Sequence, residues 1–122
     1  MIILNDKRFS NEIFYYANNL DDIKNSSNNS TIIFEYDENK LDLYKFCSNN
    51  SIEYGVNINS IKEFVFIINL DAKYAFVNDI DLAKILQKLA DNYLTQTKII
   101  IKSHIDNIEK IVLEEIDGIF VI

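Results

Sequence analysis

Hydrophobic positions along this chain recur with two periods, and the switches between them mark out the elements. Residues 1–4, MIIL, form a short apolar run of strand type. Ile13, Tyr16, Ala17 and Leu20 then recur at helical spacing behind Ser10, a fitting N-cap, with Phe9 and Phe14 placed as a hydrophobic staple. Residues 24–30, KNSSNNS, have nothing apolar to bury and predict a loop. The β-branched and aromatic content of residues 31–36 predicts a strand, and Asp37 or Asn39 can cap a helix that turns Leu43, Phe46 and Cys47 inward. Over residues 52–58, Tyr54, Val56 and Ile58 alternate with Glu53, Gly55 and Asn57, as a strand requires.

Residues 60–71 carry two competing signals. The run EFVFIINL has the composition of a buried strand. Ser60 and Glu63, however, have the spacing of a capping box, and Ile61, Phe64, Val65 and Ile68 fall on one stripe, so the segment is predicted helical. A strand at 73–77 follows. A helix opened by Asp79 and Asp81 turns Leu82, Ile85, Leu86, Leu89, Tyr93 and Leu94 to one side. Next comes a strand at 98–102, then a helix capped by Asp106 with Ile108, Ile111, Val112 and Ile116 inward. Gly118 suits the left-handed residue past a helix end, and a strand closes the chain at 119–122.

Strands alternating with helices imply parallel pairing through right-handed crossovers. The expectation is one α/β domain over residues 1–122, with a mainly parallel sheet of five to six strands and helices on both faces, doubly wound. A partial βα barrel is the alternative. The length is too short for a full eight-stranded barrel.

Composition narrows the possible functions. The formal charge is −7, Arg occurs once, and no basic run exceeds Lys7-Arg8, which argues against nucleic acid and anionic membranes as partners. The longest apolar run, residues 64–68, falls far below a membrane span, and no signal peptide is visible. With a single Cys47 no internal disulfide can form, and a cytoplasmic location is expected. Ile and Asn abound while Gly occurs twice and Pro never, a bias we read as AT-rich coding. Two glycines cannot build a phosphate cradle, and one Cys with one His cannot complete a zinc site, so no cofactor and no structural metal are expected.

Two resemblances bear on the fold. Residues 52–77, IEYGVNINSIKEFVFIINLDAKYAFV, resemble one βαβ unit of the βα-barrel enzymes, and the ending EEIDGIFVI is similar to the glycine-led strand starts of the same proteins. The rhythm extends to small uncharacterised bacterial βα-repeat proteins, a likeness that implies the fold and no activity. In length and alternation the chain also resembles response-regulator receiver domains. Of their site only Lys102 is matched, because the third strand ends in Asn57 and supplies no phosphoacceptor aspartate.

In parallel α/β sheets ligands bind at the carboxyl ends of the strands. Asp6, Asn57, Asn78, Lys102, Ser103 and His104 are the candidates there, alongside Glu35 and Asp37. The same Asp, Asn and Ser side chains are what the following helices need as caps, which leaves Lys102 and the lone His104 unexplained by capping. The apolar run at 61–71 points elsewhere, to an interface with Phe66, Ile67 and Leu70 near its centre. The expected role is a non-catalytic interaction or regulatory module, self-associating as a homodimer or meeting another protein partner. A small-molecule-binding protein or enzyme using the rim around Lys102 and His104 is the alternative.

Overall fold

The computed structural model describes residues 1–122 as one α/β domain with seven parallel strands and five α-helices. The strands are β1 (Ile2–Leu4), β2 (Ile13–Tyr16), β3 (Ser30–Glu35), β4 (Tyr54–Asn57), β5 (Tyr74–Val77), β6 (Lys98–Ser103) and β7 (Gly118–Val121). The helices are α1 (Leu20–Asn25), α2 (Leu41–Asn49), α3 (Ile61–Ile68), α4 (Ile80–Tyr93) and α5 (Ile108–Leu113), with short 3-10 turns before α2 and α5. No helix is long and apolar enough to cross a membrane.

The order across the sheet is β1-β7-β6-β5-β4-β3-β2. From β2 to β7 neighbours in sequence are neighbours in space, so each right-handed crossover returns on the same face of the sheet. Every buried apolar side chain of the helices accordingly belongs to one large core, in which Tyr44, Cys47, Phe64, Ile67, Ala83, Leu86, Ala90 and Ile111 meet the outward residues of the strands. The other face holds a separate small core of Leu4, Ile33, Tyr74, Phe76, Ile100 and Phe120, to which no helix contributes. The expectation of helices on both faces is therefore wrong. The sheet is singly wound and has seven strands, because residues 13–16 pair with β3 as a strand instead of forming a helix.

The sheet also curls. In a flat sheet β2 and β7 would be five strand spacings apart, about 24 Å. Yet the Phe14 ring of β2 lies 5.2 Å from the Phe120 ring of β7. Phe14 also meets Tyr74 and Phe76, each at 6.2 Å, so an aromatic cluster fills the concave side. Gly55 makes room for it, and Gly118 makes room for the neighbouring strand. A Cβ on Gly55 would sit 2.5 Å from the Phe76 ring, and one on Gly118 would sit 2.6 Å from the Ile2 carbonyl oxygen. Gly118 thus serves close strand packing inside β7 and is not a left-handed helix end. That conformation falls to non-glycine residues after α2, α3, α4 and α5: Ser51, Asp71, Leu94 and Glu115, with φ of 55°, 63°, 53° and 58°.

Local signals were honoured where they were strongest. Ser60 Oγ accepts a bond from the Glu63 amide at 3.2 Å, and the Glu63 carboxylate returns to Ser60 Oγ and to the Asn59 amide. Asp79 caps α4 through the amides of Asp81 and Leu82. Asp106, by contrast, makes no cap bond; a 3-10 turn over Ile105–Asn107 leads into α5 instead. In α3 the buried residues are Phe64 and Ile67. Ile67 is fully buried and Leu70 packs half-buried on the same core, so of the three expected interface residues only Phe66 reaches the surface.

Candidate functional site

The concave face ends, where its strands end, in a set of side chains chosen by parity. Inward positions alternate along each strand. They place Tyr16 of β2, Glu35 of β3, Asn57 of β4, Phe76 of β5, Lys102 of β6 and Phe120 of β7 on this side. The Lys102 Nζ stands 5.7 Å from the ring centroids of Tyr16, Phe76 and Phe120 alike. It makes no ion pair. Burial among the rings pulls the Lys102 ammonium below its ordinary value, against an opposing pull from Glu35. Tyr16 is pushed up by partial burial and by the same carboxylate. Asn57 is 8% exposed and donates to Glu35 Oε1 at 2.6 Å, while its own Oδ1 is buried with no partner.

Of the six candidate ligand residues, the structure brings Lys102 and Asn57 to this face. The rest are accounted for otherwise. Asp6 is held by Arg8 through two side-chain bonds, at 3.0 and 2.7 Å, and that guanidinium lowers its pKa. Ser103 Oγ donates to the His104 carbonyl and accepts from Asn107, which secures the turn before α5. His104 is exposed, and its side chain caps nothing. Asn78 is exposed beside Asp79 at a small concavity on the helix side. Tyr16, Phe76 and Phe120 escaped the sequence reading because facing depends on strand parity and on the curl.

The largest concavity lies at the opposite end, where the strands begin. It is a groove of about 1100 Å³ whose apolar wall comes from Ile61, Val65 and Ile68 of α3 and Leu89 and Tyr93 of α4. α4 is apolar over more than one face. Ala83, Leu86, Gln87 and Ala90 are buried, and Ile85 and Tyr93 are left exposed. Beside the groove Tyr93 is 76% exposed, and Leu94, in the left-handed conformation that ends α4, is 87% exposed. Of the inward stripe expected for α4, Leu86 is buried and Leu82 and Leu89 pack partly buried on the core, whereas Ile85, Tyr93 and Leu94 are exposed. Cys47, at the floor of this region, is buried, which pushes its thiol up to about 11 and suits a packing role.

A second polar cluster closes the concave face near the groove. Glu12, just before β2, accepts from Thr31 Oγ1 at 2.6 Å, from Tyr74 Oη at 2.7 Å and from Lys73 Nζ at 3.1 Å. Lys73 also donates to Glu53 at 2.7 Å. Every member has a partner, so this cluster reads as a clamp between the edge strand and the middle of the sheet. Neither a protein-family model nor a curated protein matches the chain.

Proposed function

We infer that this chain is a non-catalytic module that works by self-association, its strand-start end docking onto a second copy. The observation that carries this reading is a knob beside a hole on one surface. Leu94 projects into solvent next to a groove lined by Ile61, Val65, Ile68 and Leu89. A two-fold dimer needs that self-complementarity, because each copy must offer what the other receives. Leu94 is also held with φ 53°, a conformation in which glycine or asparagine would cost less. An apolar side chain both strained and wet gives the isolated fold no benefit, and a partner's groove would supply one. Burying it there is worth about 1.5–3 kcal/mol. The partner is a second copy because the knob and the groove that fits it stand on the same chain.

Sedimentation velocity at micromolar concentration tests the reading. The unmodified protein should run at twice its 14.2 kDa chain mass. Val65→Glu, at a position already exposed, should give a folded monomer. A monomeric parent, or a Val65→Glu variant that still dimerises, removes the proposal.

A further inference from the structure

The groove at the strand-start end carries a charge that a second copy leaves unmet. Three helices finish there: Ser48 of α2, Asn69 capping α3 and Tyr93 of α4 all line it. Each helix C-terminus carries about half a negative charge, and a basic residue in the last turn is the usual complement. None of the three helices has one. Two carboxylates, Glu53 and Asp71, stand among the same lining residues. Asp71 accepts from Ser48 Oγ on Oδ2 at 2.8 Å, and Glu53 accepts from Lys73 on Oε2 at 2.7 Å, so Oδ1 and Oε1 keep no protein donor. Lys73 is the one cation of the lining, and it is shared with Glu12 at 3.1 Å. A cavity of about 1100 Å³ with an apolar wall and a few polar groups has the make-up of a small-molecule site.

We propose that this groove binds small amines that join an apolar body to one ammonium, and that such an amine displaces the Leu94 knob of the second copy. The ammonium donates to the free oxygens of Asp71 or Glu53, where the three helix C-termini also favour a cation. The apolar body lies on Val65, Ile68 and Leu89, in the place otherwise taken by Leu94. The second copy is the poorer match on charge. Its knob stands in residues 91–96, DNYLTQ, which bring one more carboxylate and no cation. An anionic ligand meets the same repulsion, and a neutral one covers the apolar wall without neutralising the carboxylates. The displacement rests on the self-association inferred above; the binding preference does not.

Phenethylamine is the probe, with phenethyl alcohol as the same body uncharged and hydrocinnamate as its anionic counterpart. Amide NMR titrations at low salt read binding at residues 61–72 and 89–97. The amine should bind at least about tenfold tighter than the alcohol, the factor that a hydrogen bond between charged groups supplies, and the anion should bind weakest. Asp71→Asn combined with Glu53→Gln should bring amine and alcohol to equal affinity. Both positions are exposed, and asparagine keeps the left-handed backbone of residue 71. In sedimentation velocity the amine should move the parent from dimer to monomer mass. A parent already monomeric removes the self-association reading and leaves the charge preference to decide the site. Equal affinities for amine, alcohol and anion, or no shift of the groove residues at millimolar amine, overturn the proposal, as does a dimer that persists with the groove saturated.

Discussion

Lys73 and Lys102 sit at opposite ends of the same concave face, and both stand over aromatic rings. Around Lys73, Glu12 and Glu53 supply carboxylates, and the hydrogen bonds they accept raise its pKa in spite of burial. Around Lys102 burial meets no such bond and the pKa falls. The difference lies in the neighbours each strand end receives. Where the strands begin, Glu12 enters the face ahead of β2 and satisfies Thr31, Tyr74 and Lys73 together. Where they end, the one nearby carboxylate is engaged by Asn57. The first end is tied shut and carries the apolar groove on its outer side; the second holds an amine with no protein partner. The comparison teaches that burial leaves the same residue type with a raised or a lowered pKa according to whether carboxylates match its charge.

The largest test of this contrast removes the clamp. Glu12→Ala strands the Thr31 and Tyr74 hydroxyls and leaves Lys73 with Glu53 alone, and should destabilise the fold by about 3 kcal/mol in urea titrations. The acid limb gives the clamp's signature. Burial raises the Glu12 pKa, but the bonds from Thr31, Tyr74 and Lys73 outweigh it, so the net value is below 4.5. A lowered carboxyl pKa contributes stability that is fully present above 4.5 and lost as pH falls through the folded value. Glu12→Gln should therefore flatten the stability profile in that acid window. A smaller effect, of opposite sign, is expected at the groove. Leu94→Gly should stabilise the monomer by about 0.5–1 kcal/mol by relieving a left-handed residue, while weakening the dimer. Such a rise in chemical stability alongside a drop in sedimenting mass separates knob from scaffold.

Lys102→Met should change stability least, by less than about 1 kcal/mol at neutral pH, since no ion pair or hydrogen bond is lost. Its mark is on the alkaline side. A lysine whose folded pKa is depressed costs stability while it is charged, and that cost fades as pH rises from the folded value to 10.5. Lys102→Met should lose this rising component relative to the parent. Lys73, with a raised pKa, contributes in the other direction, stabilising below 10.5 and fading above it. Paired pH titrations of Lys102→Met and Lys73→Met would show opposite slopes in the alkaline range.

How much of this was legible in the sequence depended on how local the cause was. Helix α3 was readable against its strand-like composition because Ser60 and Glu63 take up the amides of Glu63 and Asn59 at the helix start. Residues 13–16 were not. Ile13 and Tyr16 fit a helical period by spacing, yet Ile-Phe-Tyr-Tyr is also a strand former, and pairing with β3 decided it. Gly118 was misread for a similar reason. Its requirement comes from the Ile2 carbonyl, 116 positions away in the chain. At the site, Lys102 and Asn57 were legible as strand-end residues. Tyr16, Phe76 and Phe120 were not, since rings from separate strands converge only once parity and curvature are known. The groove was hidden in the breadth of the apolar stripe on α4, which is divided between sheet and solvent only once Ala83, Leu86 and Ala90 are seen to face the core and Ile85 and Tyr93 to lie outside it.

The division of labour between the two ends is tested most directly by amide NMR spectra recorded across a dilution series. Self-association through the strand-start end predicts that the resonances of residues 61–68 and 89–95 move with protein concentration while those of 100–104 stay fixed. Shifts confined to the exposed edges at 2–4 and 13–16, or spectra that do not change with concentration, would contradict the account.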